Sequence, residues 1–324
     1  MKVLLIGLGR WGEKHLRVLG ELGCELWVAD GSPERRALAI KAGVAEARAV
    51  ADFRSVLSEV EAVDIVTPAD NHLALSSECL RAGKHCFVEK PLTRTVAEGR
   101  ALVDVVRSTT RVLQVGHIFR FHPVTQLMRE RIKGGSVGAI RYCTGRFAGF
   151  KRPRNDVGVT QTDGIHYFDL FAYLLERNPS AVTATLRDFL GRGMDDVGFC
   201  AVEYGDVLVF VEAGYFAPGT FRDCVIVGEE ETLAGDFGTG EVKVLANRHV
   251  KQGGVWNAPD GASETHKASG PEPLRHELKL FLEACAGRRA PAVDVEAGLL
   301  ALEVVEAAQR SSKLERRVEL SELD

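Results

Sequence analysis

Hydrophobic positions come first as short, unbroken runs. Lys2-Val3-Leu4-Leu5-Ile6 passes directly into Gly7-Leu8-Gly9-Arg10-Trp11-Gly12, after which Leu16, Leu19 and Leu22 recur at helical spacing with charges between them. A second run, Glu25-Leu26-Trp27-Val28-Ala29, ends at Asp30. Apolar runs separated by amphipathic stretches predict parallel strands covered by helices on both faces. The alternation continues with helices over 33–42 and 53–60, a strand over 62–67 closed by Pro68, and a helix over 71–82 stopped by Gly83. A strand over 85–89, a helix over 95–108 and a strand over 111–115 complete the series. Proline cannot extend a strand ladder, and glycine supplies the left-handed residue that ends a helix.

Beyond Phe119 the texture changes. A helix closes over 127–132 before Gly134-Gly135, and strand-like segments follow over 140–150, 182–189, 197–204, 207–216, 221–227 and 241–245. Gly205-Asp206 reads as a hairpin turn. Successive strands without helices between them predict antiparallel pairing. The polar, Gly/Pro-rich stretch 253–273 reads as a surface loop, and helices over 274–286 and 295–310 close the chain. The expected organisation is a dinucleotide-binding α/β domain over 1–118 followed by an α+β domain over 119–324.

Composition narrows the function classes. A chain of 324 residues is too long for one ordinary core. A net charge of −4 gives no reason to expect nucleic acid or an anionic membrane as partner. No apolar run approaches the ~18 residues that span a bilayer, and a chain that begins on its first core strand leaves no room for a signal peptide. Seven scattered cysteines, never in C-x-x-C spacing, predict reduced thiols in a cytoplasmic protein and no metal site.

The glycine turn sits where phosphate chemistry needs it. In this strand–turn–helix context Gly7 permits the tight turn, Gly9 lets backbone approach a pyrophosphate, and Gly12 lets helix and strand pack closely. The helix start offers free N–H groups and a positive dipole end. Asp30, 21 residues beyond Gly9, is placed to accept hydrogen bonds from a ribose. A carboxylate there would repel a 2′-phosphate, so the expected cofactor is NAD rather than NADP. Arg35 and Arg36 follow Ser32-Pro33 and read as a solvated first helical turn.

Four features together resemble the Gfo/Idh/MocA family of sugar and polyol oxidoreductases: the glycine turn; Thr67-Pro68 with His72; Ala82-Gly83-Lys84-His85-Cys86-Phe87-Val88-Glu89-Lys90-Pro91; and Asp163-Gly164-Ile165-His166-Tyr167-Phe168-Asp169. The resemblance implies an N-terminal Rossmann domain and a second domain with a large, open, mostly antiparallel sheet. That sheet is the expected surface for a homodimer or homotetramer. It implies oxidation of a secondary alcohol on a sugar, inositol or nucleotide-sugar, although some members have lost catalysis and act as sensors. Cofactor contacts are expected from Gly7, Gly9, Arg10, Trp11, Gly12, Asp30, Thr67, Pro68, His72, Glu89, Lys90 and His117. Lys90 is the implied second catalytic residue, often followed in this family by a cis peptide to Pro91.

His166 is the expected base, because removal of a hydroxyl proton is best done by a group titrating near neutrality. Asp163 and Asp169 lie three residues to either side and are expected to share a helical face with it. By the motif, Asp163 contacts substrate and Asp169 is structural. The sequence departs from the commonest pattern, which carries Asp four residues before the His; Thr162 occupies that position here. Gly116-His117-Ile118-Phe119-Arg120-Phe121-His122-Pro123 resembles a stretch in members acting on UDP-linked amino sugars or uronates, with His122 replacing the usual Asn. Arg120 and His122 are therefore expected at the substrate, with Arg120 as an anion clamp. Lys151-Arg152-Pro153-Arg154 reads equally as a solvated loop or an anion site, and Arg152 is its substrate-binding candidate.

Overall fold

The computed structural model describes residues 1–323, and contacts divide the chain into two compact units: Met1–Ile118 with Glu272–Leu302, and Phe119–Pro271 with the chain from Glu303 onward. The sequence reading gives 272–302 to the second domain; its contacts place it in the first unit. Leu274, Leu278 and Phe281 pack there against Val3, Val18, Leu19 and Phe87. Burying side chains of this size contributes about 1.5–3 kcal/mol each, which holds the segment where it is.

The first unit is built on six parallel strands: β1 (Lys2–Ile6), β2 (Glu25–Ala29), β3 (Ala49–Val50), β4 (Ala62–Ile65), β5 (His85–Glu89) and β6 (Leu113–Gly116), in the order β3-β2-β1-β4-β5-β6. Helices α1 (Gly12–Glu21), α2 (Pro33–Lys41), α3 (His72–Arg81) and α4 (Val96–Arg107) form the crossovers. Val3, Leu4 and Leu5 are fully buried, as expected of a strand covered on both faces. The strand order reverses between β1 and β4, and a crevice for a ligand opens at the carboxyl ends of strands at such a point. The stretch expected as a helix over 53–60 is a tighter 3₁₀ run, Phe53–Glu59, opened by the Asp52 side chain accepting from Arg54 N.

The second unit carries α5 (Pro123–Lys133) and α6 (Ile165–Leu175) with β7 (Ile140–Gly149), β8 (Ala181–Arg187), β9 (Val197–Tyr204), β10 (Val207–Gly214), β11 (Thr220–Gly228), β12 (Thr232–Asp236) and β13 (Glu241–Leu245). The chain continues through β14 (Val250–Gln252), β15 (Val255–Asn257) and β16 (Ser263–Lys267). Helix α7 (Pro273–Cys285) belongs to the first unit, α8 (Val295–Leu314) runs across the division of the chain, and β17 (Val318–Glu319) closes the fold. Nine strands form one sheet in the order β16-β13-β12-β11-β7-β10-β9-β8-β17, with only β7 and β10 parallel.

One face of this sheet carries α6. Tyr167 lies on Gly145, and Tyr204 donates its hydroxyl to the Phe168 carbonyl at 2.9 Å. On the opposite face Tyr142, Phe199 and Phe210 are exposed. The loop expected over 253–273 contains the end of the β14–β15 hairpin and the edge strand β16. Ser-Glu-Thr-His-Lys has no apolar alternation, because an edge strand with solvated side chains has no face to bury.

Candidate active site

The glycine turn does in three dimensions what its spacing predicts. Gly7 has φ +95°, and a Cβ there would lie 2.4 Å from the Val66 carbonyl oxygen. A Cβ on Gly12 would lie 2.0 Å from the Gly7 carbonyl oxygen, so only glycine lets α1 start this close to β1. Gly9 differs: its Cβ position meets only the tip of Arg35, at 3.8 Å, which leaves its backbone open to a ligand. Asp30 is fixed at the end of β2. Its Oδ2 accepts from Leu8 N at 2.8 Å and its Oδ1 from Ser32 N at 2.9 Å. Further lone pairs remain on that carboxylate for ribose hydroxyls.

Arg36 donates to the Asp30 and Gly31 carbonyls, and exposed Arg35 stands 3.6 Å from Asp30. Ser32 caps α2, accepting from Arg35 N. The first turn of α1, the open Gly9 and the anchored Asp30 fit the phosphates and adenosine ribose of NAD. Arg10 is exposed at the same turn.

Other expected cofactor residues have different work. His72 is buried, with Nδ1 2.9 Å from the Pro91 carbonyl and Nε2 3.0 Å from the Thr67 carbonyl. Its ring joins the loop after β4 to the loop after β5 instead of reaching outward, and burial lowers its pKa against the pull of those carbonyls. Trp11 donates its indole N–H to Glu89 Oε1 at 2.6 Å. Thr67 is half-buried and Pro68 exposed at the β4 end, while His117 is buried just past β6.

Two residues that sequence reasoning missed lie beneath this loop. His15 and Asp64 are fully buried; His15 Nδ1 is 2.8 Å from Asp64 Oδ2, and its Nε2 is 3.2 Å from Glu89 Oε1. Burial disfavours the charged imidazole, but Asp64 and then Glu89 outweigh it and raise the His15 pKa to about 10. Burial pushes Glu89 up as well, yet His15, Trp11 and Lys90 bring it below the usual range. Asp64 stands above its usual range because burial exceeds the effect of His15. The available signal was a lone acid inside the apolar run Ala62-Val63-Asp64-Ile65-Val66, since an acid there requires a partner. Glu89 Oε2 accepts from Lys90 N at 3.1 Å, and the Lys90–Pro91 peptide is cis.

In the second unit, Thr160–Gly164 winds as a π turn before α6 begins at Ile165. Thr160 N donates to Asp195 Oδ2 at 2.7 Å, and a Cβ on Gly158 would lie 1.8 Å from the other oxygen of that carboxylate. Wide turns of this kind recur at functional sites. Thr162, at the position where the family pattern carries Asp, sets its hydroxyl against the Gly158 carbonyl at 3.1 Å and the Tyr215 hydroxyl at 3.2 Å. Asp163 meets Lys151 instead, Nζ to Oδ2 2.6 Å. The Lys151 ammonium also lies over the rings of Phe147, at 4.3 Å, and Tyr215, at 5.5 Å. His166 is buried and stacks on Phe119 at 4.7 Å, with Phe147 near-parallel at 5.7 Å.

Two substrate expectations are corrected by this geometry. Arg120 directs Nε and Nη2 at the buried Asp169, at 2.8 and 2.5 Å, so its fork braces α6 and is not open as an anion clamp. Asp169 accepts this fork from within α6. His122 precedes Pro123 and caps α5, its Nδ1 accepting from Val124 N at 3.2 Å, and burial lowers its pKa. Of the basic loop, Lys151 is paired with Asp163 and Arg154 with Asp156, while Arg152 is exposed.

Residues 1–117 match the family described as "Oxidoreductase family, NAD-binding Rossmann fold", and residues 129–320 match its "C-terminal alpha/beta domain". A UDP-N-acetylglucosamine 3-dehydrogenase of Acidithiobacillus ferrooxidans is 35% identical over 185 residues, 57% of this chain and 57% of that protein. An inositol 2-dehydrogenase of Rhizobium meliloti is 32% identical over 215 residues, 64% of each chain. The aligned stretch thus spans less than two thirds of either relative. The solved structure of the Acidithiobacillus ferrooxidans enzyme superposes with a TM-score of 0.85 at 25% identity, covering 97% of this chain and 98% of that one. Both domain matches, together with the glycine turn and the anchored Asp30, establish that the chain belongs to the Gfo/Idh/MocA family of NAD-binding oxidoreductases.

Proposed function

We propose that this protein is an NAD-dependent dehydrogenase of a secondary alcohol on a cyclic sugar, with Lys90 and His166 handling the proton. The observation that carries the reading is His166 itself: an imidazole buried at the head of α6, held flat by Phe119, in a chain whose family binds NAD. His166 takes the hydroxyl proton, a role for which imidazole titrates in the right range. The Lys90 ammonium, on the turn that Glu89 and His72 hold, stabilises the developing alkoxide. Lys151 and Asp163 form a part-exposed pair that can exchange its mutual contact for substrate hydroxyls. Bound NAD supplies the acceptor for the hydride.

The relatives named above carry names for a UDP-linked amino sugar and for inositol, and the two substrate classes need different contacts. The pairing of Arg120 with the buried Asp169 favours an uncharged polyol or hexose, because it turns the expected anion clamp away from a diphosphate. NADH formation across UDP-hexosamines, UDP-uronates, free hexoses and inositols, with His166→Ala as blank, decides between them. Turnover with a UDP-sugar alone refutes the polyol preference. Tight NAD binding without turnover on any of these sugars would favour a sensor.

The reading extends to assembly and location. Phe199, Phe210 and Tyr142 expose an apolar band across adjacent strands, which we assign to a homo-oligomer contact. Light scattering of Phe210→Glu should report a smaller species than the parent chain. Seven free thiols suit a reducing cytoplasm. No helix among the described residues is long and apolar enough to cross a membrane.

A further inference from the structure

Beneath the Lys90 turn, charge is buried without any need that stability would impose. His15 of α1, Asp64 of β4 and Glu89 of β5 bring one imidazole and two carboxylates together, two of the three groups with no exposure at all. Replacing such a cluster with apolar side chains of similar volume is often neutral or stabilising, so the cluster is weak as a device for holding the fold. Its geometry has a direction instead. Glu89 receives His15 and Trp11 on Oε1 and the Lys90 amide on Oε2, so both oxygens are fixed from opposite sides.

Neighbouring groups leave that carboxylate a single place. A Cβ on Gly116 would lie 2.9 Å from Glu89 Oε1, and the Phe87 ring packs edge-on against His15 at 5.7 Å. His72 holds the Pro91 carbonyl from the far side of the turn. The turn bearing Lys90 is therefore clamped before and after the lysine by two buried histidines.

We propose that His15 is a positioning residue: through Glu89 it fixes the Glu89–Lys90–Pro91 turn and thereby the direction of the Lys90 ammonium. This rests on the reading of Lys90 as catalytic. Because Trp11 precedes α1 at the glycine turn, which would receive the phosphates of NAD, the same cluster also joins that turn to the lysine. Misplacing a reacting group by about 1 Å costs on the order of 100-fold in rate, so the orientation of this turn is a kinetic quantity.

The test compares His15→Gln with the parent chain, both reductively ¹³C-methylated and saturated with NAD. The Lys90 methyl resonance is expected to shift in His15→Gln and to stay in place in Asp64→Asn, which keeps the His15–Glu89 contact. With the sugar that supports turnover, kcat should fall about 30-fold or more while KM and NAD affinity change less than about 3-fold. An unmoved resonance, or a folded His15→Gln with unchanged kcat, would overturn the proposal. Should His15→Gln fail to fold, His15→Gln/Asp64→Asn removes the stranded charge and is read in the same way. Lys90→Met separates the two ideas: if it retains full turnover, the role of Lys90 falls, while the resonance still reports whether His15 positions the turn.

Discussion

Each unit sets carboxylates against cations, and the two arrangements obey different physics. In the first, His15 lies between Asp64 and Glu89 with no access to water, and removing the imidazole leaves two carboxylates without their shared cation. In the second, Asp163 faces Lys151, whose side chain is 32% exposed. Water reaches this pair through the lysine, so the contact is more readily exchanged than the sealed cluster, although the buried Asp163 still needs a partner in its place. The Arg120–Asp169 pair resembles the first arrangement although it lies in the second unit, for Asp169 is 1% exposed. Sealed charges brace backbone here, and the half-open pair is the more exchangeable of the two arrangements.

The sharpest break in that comparison is Arg120→Met, which takes the guanidinium away from the buried Asp169. It should cost about 3–5 kcal/mol in denaturant unfolding, and a loss below about 1 kcal/mol would place the pair among the exchangeable ones. His166→Ala should keep NAD affinity and lose at least ~100-fold in turnover. Stability against pH comes next. His15 holds its proton in the fold up to about 10, and an unfolded histidine releases it near the ordinary imidazole value of about 6.5. Its contribution is thus complete below the unfolded pKa and fades as pH rises toward about 10. Between pH 7 and 10 the parent chain should lose on the order of 2 kcal/mol more than His15→Gln, and parallel stability curves would refute the buried imidazolium. Lys151→Met, which takes the ammonium from the buried Asp163, should raise the sugar KM about 10-fold and cost about 1–3 kcal/mol in unfolding. Arg154→Met, which breaks an exposed pair, should shift stability by less than about 0.5 kcal/mol.

What the sequence made legible was what local pattern controls. The run Val3–Ile6, the glycines behind it and Asp30 lie close together in the chain, and the crossover rules order the strands once the helices between them are seen. Lys90 and His166 were singled out through motifs of neighbouring residues, and their roles stand as proposals. His15 and Asp64 were not, because their contact joins positions 49 apart on different elements. A lone acid in an apolar strand announces that a partner exists without naming it.

Arg120 was misread for a related reason: a planar fork fits any carboxylate, and nothing near it in the chain points to Asp169, also 49 residues away. For His122 the signal was present, since a polar residue before Pro123 is the ordinary way to open a helix. The return of 272–302 to the first unit depends on apolar surfaces that match only after both have formed.

The wide turn at Thr160–Gly164 bears on how such a chain can diverge. Each α-helical residue advances the bearing of its side chain by about 100°, and one i→i+5 turn inserts a break in that phase. Downstream of the break, His166 keeps its seat against the aromatic stack. Inside it, Asp163 takes a bearing that meets Lys151 and leaves Thr162 at the Tyr215 hydroxyl. The proposed proton carrier and the Lys151–Asp163 pair are thus set in different phases of one rotational slip joint, so mutation can redirect one while the other holds its aim.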